Sequence, residues 1–523
     1  MSMTLHDLVG QSLMLSFSGP SVTPELLNAL RAMRACGVIL FANNISTPDA
    51  LYELNQRLQS EAAALGLPPL LIAIDQEGGN VTRLPAPFTT VPSQMAQAAT
   101  GDPATAYECA AITGRQLRAF GINTDFAPVL DVNNNPANPV IGVRSFGSDL
   151  DVVVAFGQAA LRGYRDTGVI ATVKHFPGHG DTTIDSHLGL PTLDYPRARL
   201  EALELAPFVA AFAAGAPALM TAHIVFQALD TLPATLSQAI LTDLLRAELG
   251  YDGLVFTDAL EMRAIADSYG PFEAALLSKA AGADVLLPLG PLDEQVAAGR
   301  ALLAAVQDGR LSHESFAATA RRLDMLRAAY GISHALPPFE PPAPELRSAA
   351  LDLARRSVTL VRDQGALPLR PELRLALIDC LLPRGSNADE ALERADLLRA
   401  LITAICPATT SLTVRPTPTD DELAQALALT ADCDAVLLVT RSALLIEAQA
   451  RLAQSLARTG RPLIHVAARN PYDATLLPEA TATLLTYGDP ELSLEALADV
   501  LAGRVAATGA PPADLAHALG RSA

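Results

Sequence analysis

From the start of the chain to about Tyr330, short apolar runs alternate with longer amphipathic stretches. The apolar runs are LMLSF (13–17), VILFA (38–42), LLIAI (70–74), TDFAPVL (124–130), IATVKHF (170–176), ALMTAHI (218–224), GLVFTD (253–258) and DVLLPL (284–289). A strand buried on both faces reads as a continuous apolar run rather than as alternation, so each run predicts a buried parallel strand. Stretches rich in Ala, Leu and Arg fill the intervals, such as Pro103–Phe120, Pro196–Ala214 and Pro271–Ala281, and predict helices. Pro24, Pro103 and Pro271 suit a helix's first turn, where no partner for the N–H is lost. About eight strand–helix units over about 330 residues predict an α/β fold built as a (β/α)8 TIM barrel. A doubly wound sheet has the same alternation and stands as the alternative, because alternation does not establish closure.

Residues 333–346, SHALPPFEPPAPEL, carry five Pro and predict a stiff linker. The expected division is therefore a barrel over 1–332, a Pro-rich linker over 333–346 and a second domain over 347–523. In that second part, SVTLV (357–361), LRLALID (373–379), DAVLLVT (434–440), PLIHVAA (462–468) and ATLLTYG (482–488) read as strands. Glu390–Ile405 and Leu492–Leu501 read as helices, which makes a smaller α/β sandwich. No internal repeat is visible.

Composition narrows the partners. Lys and Arg total 37 against 56 Asp and Glu, a net charge of −19, with no basic run. Nucleic acid and anionic membrane surfaces are poor partners for such a chain. No apolar run has the length of a membrane helix, and the first residues, MSMTLHDLVG, lack a basic end followed by an apolar stretch, so no signal peptide is expected. Cys36, Cys109, Cys380, Cys406 and Cys433 form no CxxC pair; Cys36 and Cys433 adjoin strand-like runs. Buried thiols in a reducing, cytoplasmic compartment are expected. Trp, the usual flat platform for sugar faces, is absent.

In a barrel the chemistry sits at the carboxyl ends of the strands. Five predicted strands end there in ionisable residues: Asp75 with Glu77; Asp131; Lys174 and His175, followed by His179, Asp181, Asp185 and His187; His223; and Asp258. One such ending is an ordinary solvated loop, but five together predict a binding cleft. His175 and His179 have the i, i+4 spacing of a helical metal site. Phe176, Pro177 and Gly178 break any helix between them, and no Cys is near, so no metal or other cofactor is expected. The Gly-rich HFPGHGDT stretch lacks the GxxxxGK[ST] pattern of a phosphate loop. The remaining reading is acid–base work. Asp185 and His187 stand one residue apart, and in an extended strip such positions point the same way. A carboxylate beside an imidazole orients the ring and favours its charged form, which suits proton donation near neutrality. Asp258 would face the pair across the cleft.

These residues carry a resemblance. KHFPGHGDTTIDSHLGLP (174–191) resembles the signature segment of family 3 glycoside hydrolases in their N-acetylglucosaminidase branch. DQEGGNVTRL (75–84), INTDFAPVLDVNNNPANPVIGVRSFGSD (122–149), MTAHIVFQALD (220–230), PATLS (233–237) and VFTDALEM (255–262) follow in the expected order. The second domain resembles the family's C-terminal sandwich more loosely, through SVTLVRD (357–363) and NPYDATLLPEATATLLTYGD (470–489). The resemblance implies that Asp258 is a nucleophile forming a glycosyl-aspartate, and that His187 is the general acid/base in a dyad with Asp185. It implies that Asp75, Arg83, Arg144, Lys174 and His175 hold the hydroxyls and N-acetyl group of the terminal sugar. Related β-glucosidases take their acid from a Glu on the second domain, which a chain with the dyad does not need.

Plainer roles compete at several positions. Arg83 and Arg144 could be loop salt bridges, and Lys174 could belong to a structural ion pair, since an unpaired buried Lys is costly. His179 is expected to scaffold its loop and His223 to support the cleft. His6, His313, His334, His465 and His517 are expected to be ordinary. The implied activity is an exo-β-N-acetylglucosaminidase acting on small carbohydrates, either cell-wall fragments or chitooligosaccharides. A β-N-acetylglucosaminide phosphorylase, or a dual β-glucosidase/hexosaminidase, would use the same site. A non-catalytic sensor would predict a damaged nucleophile or dyad, and both are intact.

Overall fold

The computed structural model describes residues 3–382 and 395–516. Eight parallel strands stand side by side in chain order: β1 (Met14–Leu15), β2 (Gly37–Leu40), β3 (Leu71–Ile74), β4 (Thr124–Asp125), β5 (Ile170–Phe176), β6 (Ala218–Thr221), β7 (Leu254–Ala259) and β8 (Val285–Leu287). A parallel bridge from Leu13 to Leu286 brings the last strand against the first. The sheet therefore curls into a nearly closed barrel, which sets aside the doubly wound alternative. The apolar runs are continuous because both faces are covered. Met14, Ile39, Leu71, Phe126, Ile170 and Phe256 fill the barrel, while their neighbours pack outward on the helices.

Three elements differ from the pattern's prediction. TDFAPVL is a strand only over Thr124–Asp125; Pro128 has no N–H for the ladder, and beyond it Val129 makes only an isolated bridge to Lys174. Pro196–Ala214 is two short helices, Arg197–Ala202 and Ala206–Ala213, because Pro207 cannot continue the first. The helix expected from Pro271 already starts at Arg263 and kinks at Gly270, whose φ of +67° suits a residue without Cβ.

Residues 333–343 carry no helix or strand and lie along the barrel. There Phe339 packs edge-on against Tyr52 and Phe120. A helix follows from Pro344 to Ser357. The second sheet contains β9 (Thr359–Asp363), β10 (Leu375–Cys380), β11 (Thr410–Val414), β12 (Ala435–Thr440), β13 (Leu463–Ala467) and β14 (Ala482–Leu485). Its order is β9-β14-β13-β12-β10-β11, with β9 antiparallel and the rest parallel. The sequence pattern misses β11. It is an edge strand whose Thr and Ser positions are mostly exposed, so no apolar run marks it. The helix predicted over Glu390–Ile405 is present from Ala395; residues 390–394 and His517 lie outside the described residues. All five Cys are buried and free. Among the described residues, no helix is long and apolar enough to cross a membrane.

The second sheet braces loops at the carboxyl ends of the barrel strands. Asp489, just past β14, accepts from Asn80 Nδ2 at 2.9 Å, and Tyr487 O accepts from Ser93 Oγ at 2.5 Å. Asp489 is held in turn by the buried Arg441, which also pairs with the buried Asp379. Removing one member of such a buried network strands the opposite charges. Arg441→Ala is therefore expected to destabilise the protein by about 3–5 kcal/mol, read as a lower denaturation midpoint in urea at unchanged slope.

Candidate active site

The β3 strand ends in Asp75, and the chain then turns sharply at Gly78 (φ +91°) and Gly79 (φ +59°). A Cβ at Gly79 would come within 2.6 Å of Ser93 Cβ, so glycine alone lets the loop fold back over the barrel mouth. Gln76 fixes the returning chain: its N–H donates to Asp125 Oδ1 (2.9 Å), and its Oε1 accepts from the Arg83 N–H (2.8 Å). Asp75, Glu77 and Arg83 thereby face the same cavity.

The charged groups form one network. Lys174 Nζ lies 2.8 Å from Asp75 Oδ1 and 2.6 Å from Glu77 Oε1. Arg144 meets Glu77 with two N–H donors, at 2.8 and 2.9 Å. Arg83 Nη2 is 3.9 Å from Asp75 Oδ2. Burial would raise the Glu77 carboxyl, but Arg144 and Lys174 outweigh it and hold it well below the carboxylate range. Burial would likewise lower Lys174, but Asp75 and Glu77 keep it above its ordinary value. Glu77 and Lys174 thus both keep their charges at neutral pH despite burial.

His175 sits between this clamp and Asp131. Arg144 Nη2 is 3.3 Å from His175 Nε2, and an arginine can only donate. The Nε2 atom therefore accepts, and Nδ1 carries its proton to Asp131 Oδ2 at 2.8 Å. Asp131 also accepts the backbone N–H of His179 at 2.6 Å. His179 contacts Thr182 Oγ1 (2.8 Å) and Ser186 Oγ (3.1 Å), and burial pushes it down to about 4, so it scaffolds the loop as a neutral ring. His223 Nε2 donates to Ala259 O at 2.9 Å, beside Asp258, and burial lowers it too. Among the described residues, no group of three or more His, Cys, Asp or Glu is disposed to hold a metal.

Asp185 and His187 meet as expected, but by a different route. Asp185 Oδ1 accepts both the His187 backbone N–H (2.9 Å) and ring Nδ1 (2.7 Å). The Leu188 N–H closes back on Asp185 O at 2.9 Å, so the pair is made in a turn and not in an extended strip. One carboxylate oxygen serving both donors is the geometry of a side chain folding onto its own turn. Burial raises the Asp185 carboxyl, but the His187 hydrogen bonds and charge leave it lowered. Asp258 ends β7 and lies in the same cavity as His187. Burial raises Asp258, but the facing rings of His223, His175 and His187 and the Ala259 N–H hold it below its ordinary value. It is a buried, ionised carboxylate.

The cavity and the solvent space at its mouth together hold about 660 Å³. Asp75, Arg83, Arg144, Lys174, His175, His187 and Asp258 all line it, while Asp185 stands behind His187. Two polar residues of the network had no role assigned from sequence. Glu77 bridges Lys174 and Arg144, and Asp131 fixes His175. Each was visible as a polar strand ending, but the partners come from other strands. The apolar floor, with Ile39, Phe41, Phe126, Met220, Leu287 and Leu289, gave no separate signal because such residues read as core.

A parallel barrel whose mouth sets an ionised carboxylate against an Asp-backed imidazole, above a clamp of charged hydrogen-bonding groups, defines a glycoside hydrolase. The comparisons name the family: residues 4–326 match the N-terminal domain of glycosyl hydrolase family 3, and the chain belongs to that family. Beta-hexosaminidase A of Pseudoalteromonas piscicida is 36% identical over 414 residues, covering 70% of this chain and 69% of the relative. A glycoside hydrolase family 3 beta-N-acetylglucosaminidase structure from Paenibacillus sp. str. FPU-7 superposes with a TM-score of 0.93 at 41% identity, over 98% of this chain and 99% of that one. A beta-glucoside phosphorylase shares the fold at 24% identity (TM-score 0.82, 99% and 95% covered), so the fold alone does not separate hydrolysis from phosphorolysis.

Proposed function

We propose that the protein is a retaining exo-β-N-acetylglucosaminidase that removes terminal β-linked N-acetylglucosamine. The observation that carries this is the pairing of the ionised Asp258 with the Asp185-backed His187 across one cavity. The hexosaminidase relatives support the sugar. In the first step the Asp258 carboxylate attacks the anomeric carbon, the glycosidic C–O bond breaks, and His187 Nε2 gives its proton to the leaving oxygen. Asp185 keeps Nδ1 hydrogen-bonded and stabilises the cationic ring. In the second step His187 Nε2 takes a proton from water, whose oxygen attacks the same carbon and releases Asp258. Two displacements restore the β configuration. Asp75, Arg83, Arg144, Lys174 and His175 hold the sugar's hydroxyls and N-acetyl group, and Glu77 sets the spacing of Lys174 and Arg144. The division into a catalytic part over 1–332 and a bracing part over 347–523, joined by 333–346, belongs to this reading. So does a reducing, cytoplasmic setting, which the five free, buried Cys support.

The testing experiment compares turnover of aryl β-N-acetylglucosaminide with that of aryl β-glucoside, with phosphate varied. Preference for the first substrate, with free N-acetylglucosamine as product at every phosphate concentration, is expected. Sugar 1-phosphate as main product, or preference for the glucoside, would discard the reading. Glu77→Gln is expected to raise KM about tenfold, since it leaves one buried cation imperfectly paired. The kcat should change less, because Glu77 does not touch the reacting carbon; steady-state kinetics separates the two.

A further inference from the structure

The catalytic cavity continues into a second, larger one. An open groove, about 1710 Å³ with the solvent space above it, lies over the carboxyl ends of β1, β2 and β8 and shares Phe41 and Glu261 with the catalytic cavity. The clamp of Asp75, Glu77, Arg83, Arg144 and Lys174 closes the β3–β5 side, where the second domain also braces the loops. The leaving group must depart on the side of the proton donor. The loop carrying His187 reaches across to β7, where Ser186 O accepts from the Ala264 N–H at 3.3 Å. Glu261 belongs to that same turn after β7, and a Cβ at Gly290 would lie 3.2 Å from its Oε2. A group departing between Asp258 and His187 therefore meets Glu261 and Phe41 first and the groove next. A further cavity beyond the 82–90 loop meets the catalytic one only at the buried Arg83, which is part of the clamp.

The groove is acidic. Glu25, Glu261 and Asp293 line it, with Arg300 as the opposing charge. None of these four forms an ion pair among the described residues. Burial and the neighbouring Glu294 push the Glu261 carboxyl up, so no cation compensates it. Glu25 and Asp293 stand in the first turns of helices Pro24–Met33 and Leu292–Gln307. Those two helix ends add roughly one positive charge, which leaves about one negative charge in excess.

Resting on the proposed hexosaminidase reading, we infer that this groove is the leaving-group site and that it selects sugars bearing a free ammonium, or no charge, over sugars bearing a carboxylate. The ligand class is an amino-sugar oligosaccharide, and acidic cell-wall fragments are disfavoured. Like charge along the groove weakens binding before and during bond cleavage, and salt screens the effect because Glu25 and Asp293 are exposed.

The test uses the full chain and three disaccharides in which N-acetylglucosamine is β-linked to glucosamine, to N-acetylglucosamine and to N-acetylmuramic acid. The assay is run at about pH 6, below the ~8 of an α-amine, so that the glucosamine is protonated. Values of kcat/KM are expected to fall in that order, by at least about threefold between the ends, and to converge in high salt. The Glu25→Gln/Asp293→Asn double variant should shrink the ratio; the two single variants are read separately should the double melt early. A flat or inverted order, or a ratio the variants do not move, overturns the inference. Aryl β-N-acetylglucosaminide is assayed alongside: no turnover of it sinks the hexosaminidase reading itself, whereas turnover with a flat disaccharide order sinks only the groove.

Discussion

Asp258→Ala is expected to lower kcat by about four orders of magnitude or more while leaving the thermal midpoint within a few degrees of wild type. The size follows from the role. A nucleophile that forms the covalent intermediate acts as a unit with its proton donor, and removing one member forfeits most of the joint effect. The fold should survive because, among the described residues, the carboxylate accepts a hydrogen bond only from the N–H of its own neighbour, Ala259. The substitution also removes a negative charge whose burial is costly. Azide supplies a sharper readout than loss of activity. In the alanine variant an external azide can reach the carbon from the vacated face, forming a C–N bond as aryl oxide departs. The product would be the α-glycosyl azide, by a single inversion. Recovery of the β-azide, or retention of more than a few per cent of wild-type turnover, would show that another group attacks.

His187→Ala is expected to discriminate between substrates. General acid catalysis contributes about 10²–10⁴ where the leaving alcohol needs a proton. An activated aryl oxide departs unaided, so kcat/KM for such a glycoside should fall by less than about tenfold. For a disaccharide the loss should approach the upper figure. The comparison uses kcat/KM because that parameter reports the first bond cleavage, whereas kcat also feels loss of the base that activates water. Asp185→Asn should show the same discrimination more weakly. It keeps a hydrogen-bonding side chain at the turn but no longer stabilises the cationic ring. Equal losses for both substrate types would remove His187 from the role of donor.

Much of the architecture was legible in one dimension, for a physical reason. A parallel strand covered on both faces must be apolar throughout, so seven-residue IATVKHF and four-residue ALMT stand out without alternation. An edge strand has no such requirement, and Thr410–Val414 went unseen. Proline marks where a ladder must stop, but not that the chain goes on along the barrel wall afterwards, as it does past Pro128. At the site, the polar residues that close apolar strands were conspicuous because a barrel core would not choose them. Asp75, Lys174, His175 and Asp258 were found in this way, and all line one cavity.

The amino-acid sequence by itself determined the alternation of strand and helix, the end of the barrel where ionisable side chains collect, and the residue types gathered there. These depend on burial period and local turn preference, which act between near neighbours. Only the tertiary structure decided that Glu77 holds both Lys174 and Arg144, that Arg144 sets the tautomer of His175, and that Asp489 of the second sheet steadies the loop bearing the clamp. Those pairings join groups far apart along the chain. Their partners are chosen by where the nearly closed barrel and the second sheet bring charges together in a space too dry to leave one unpaired.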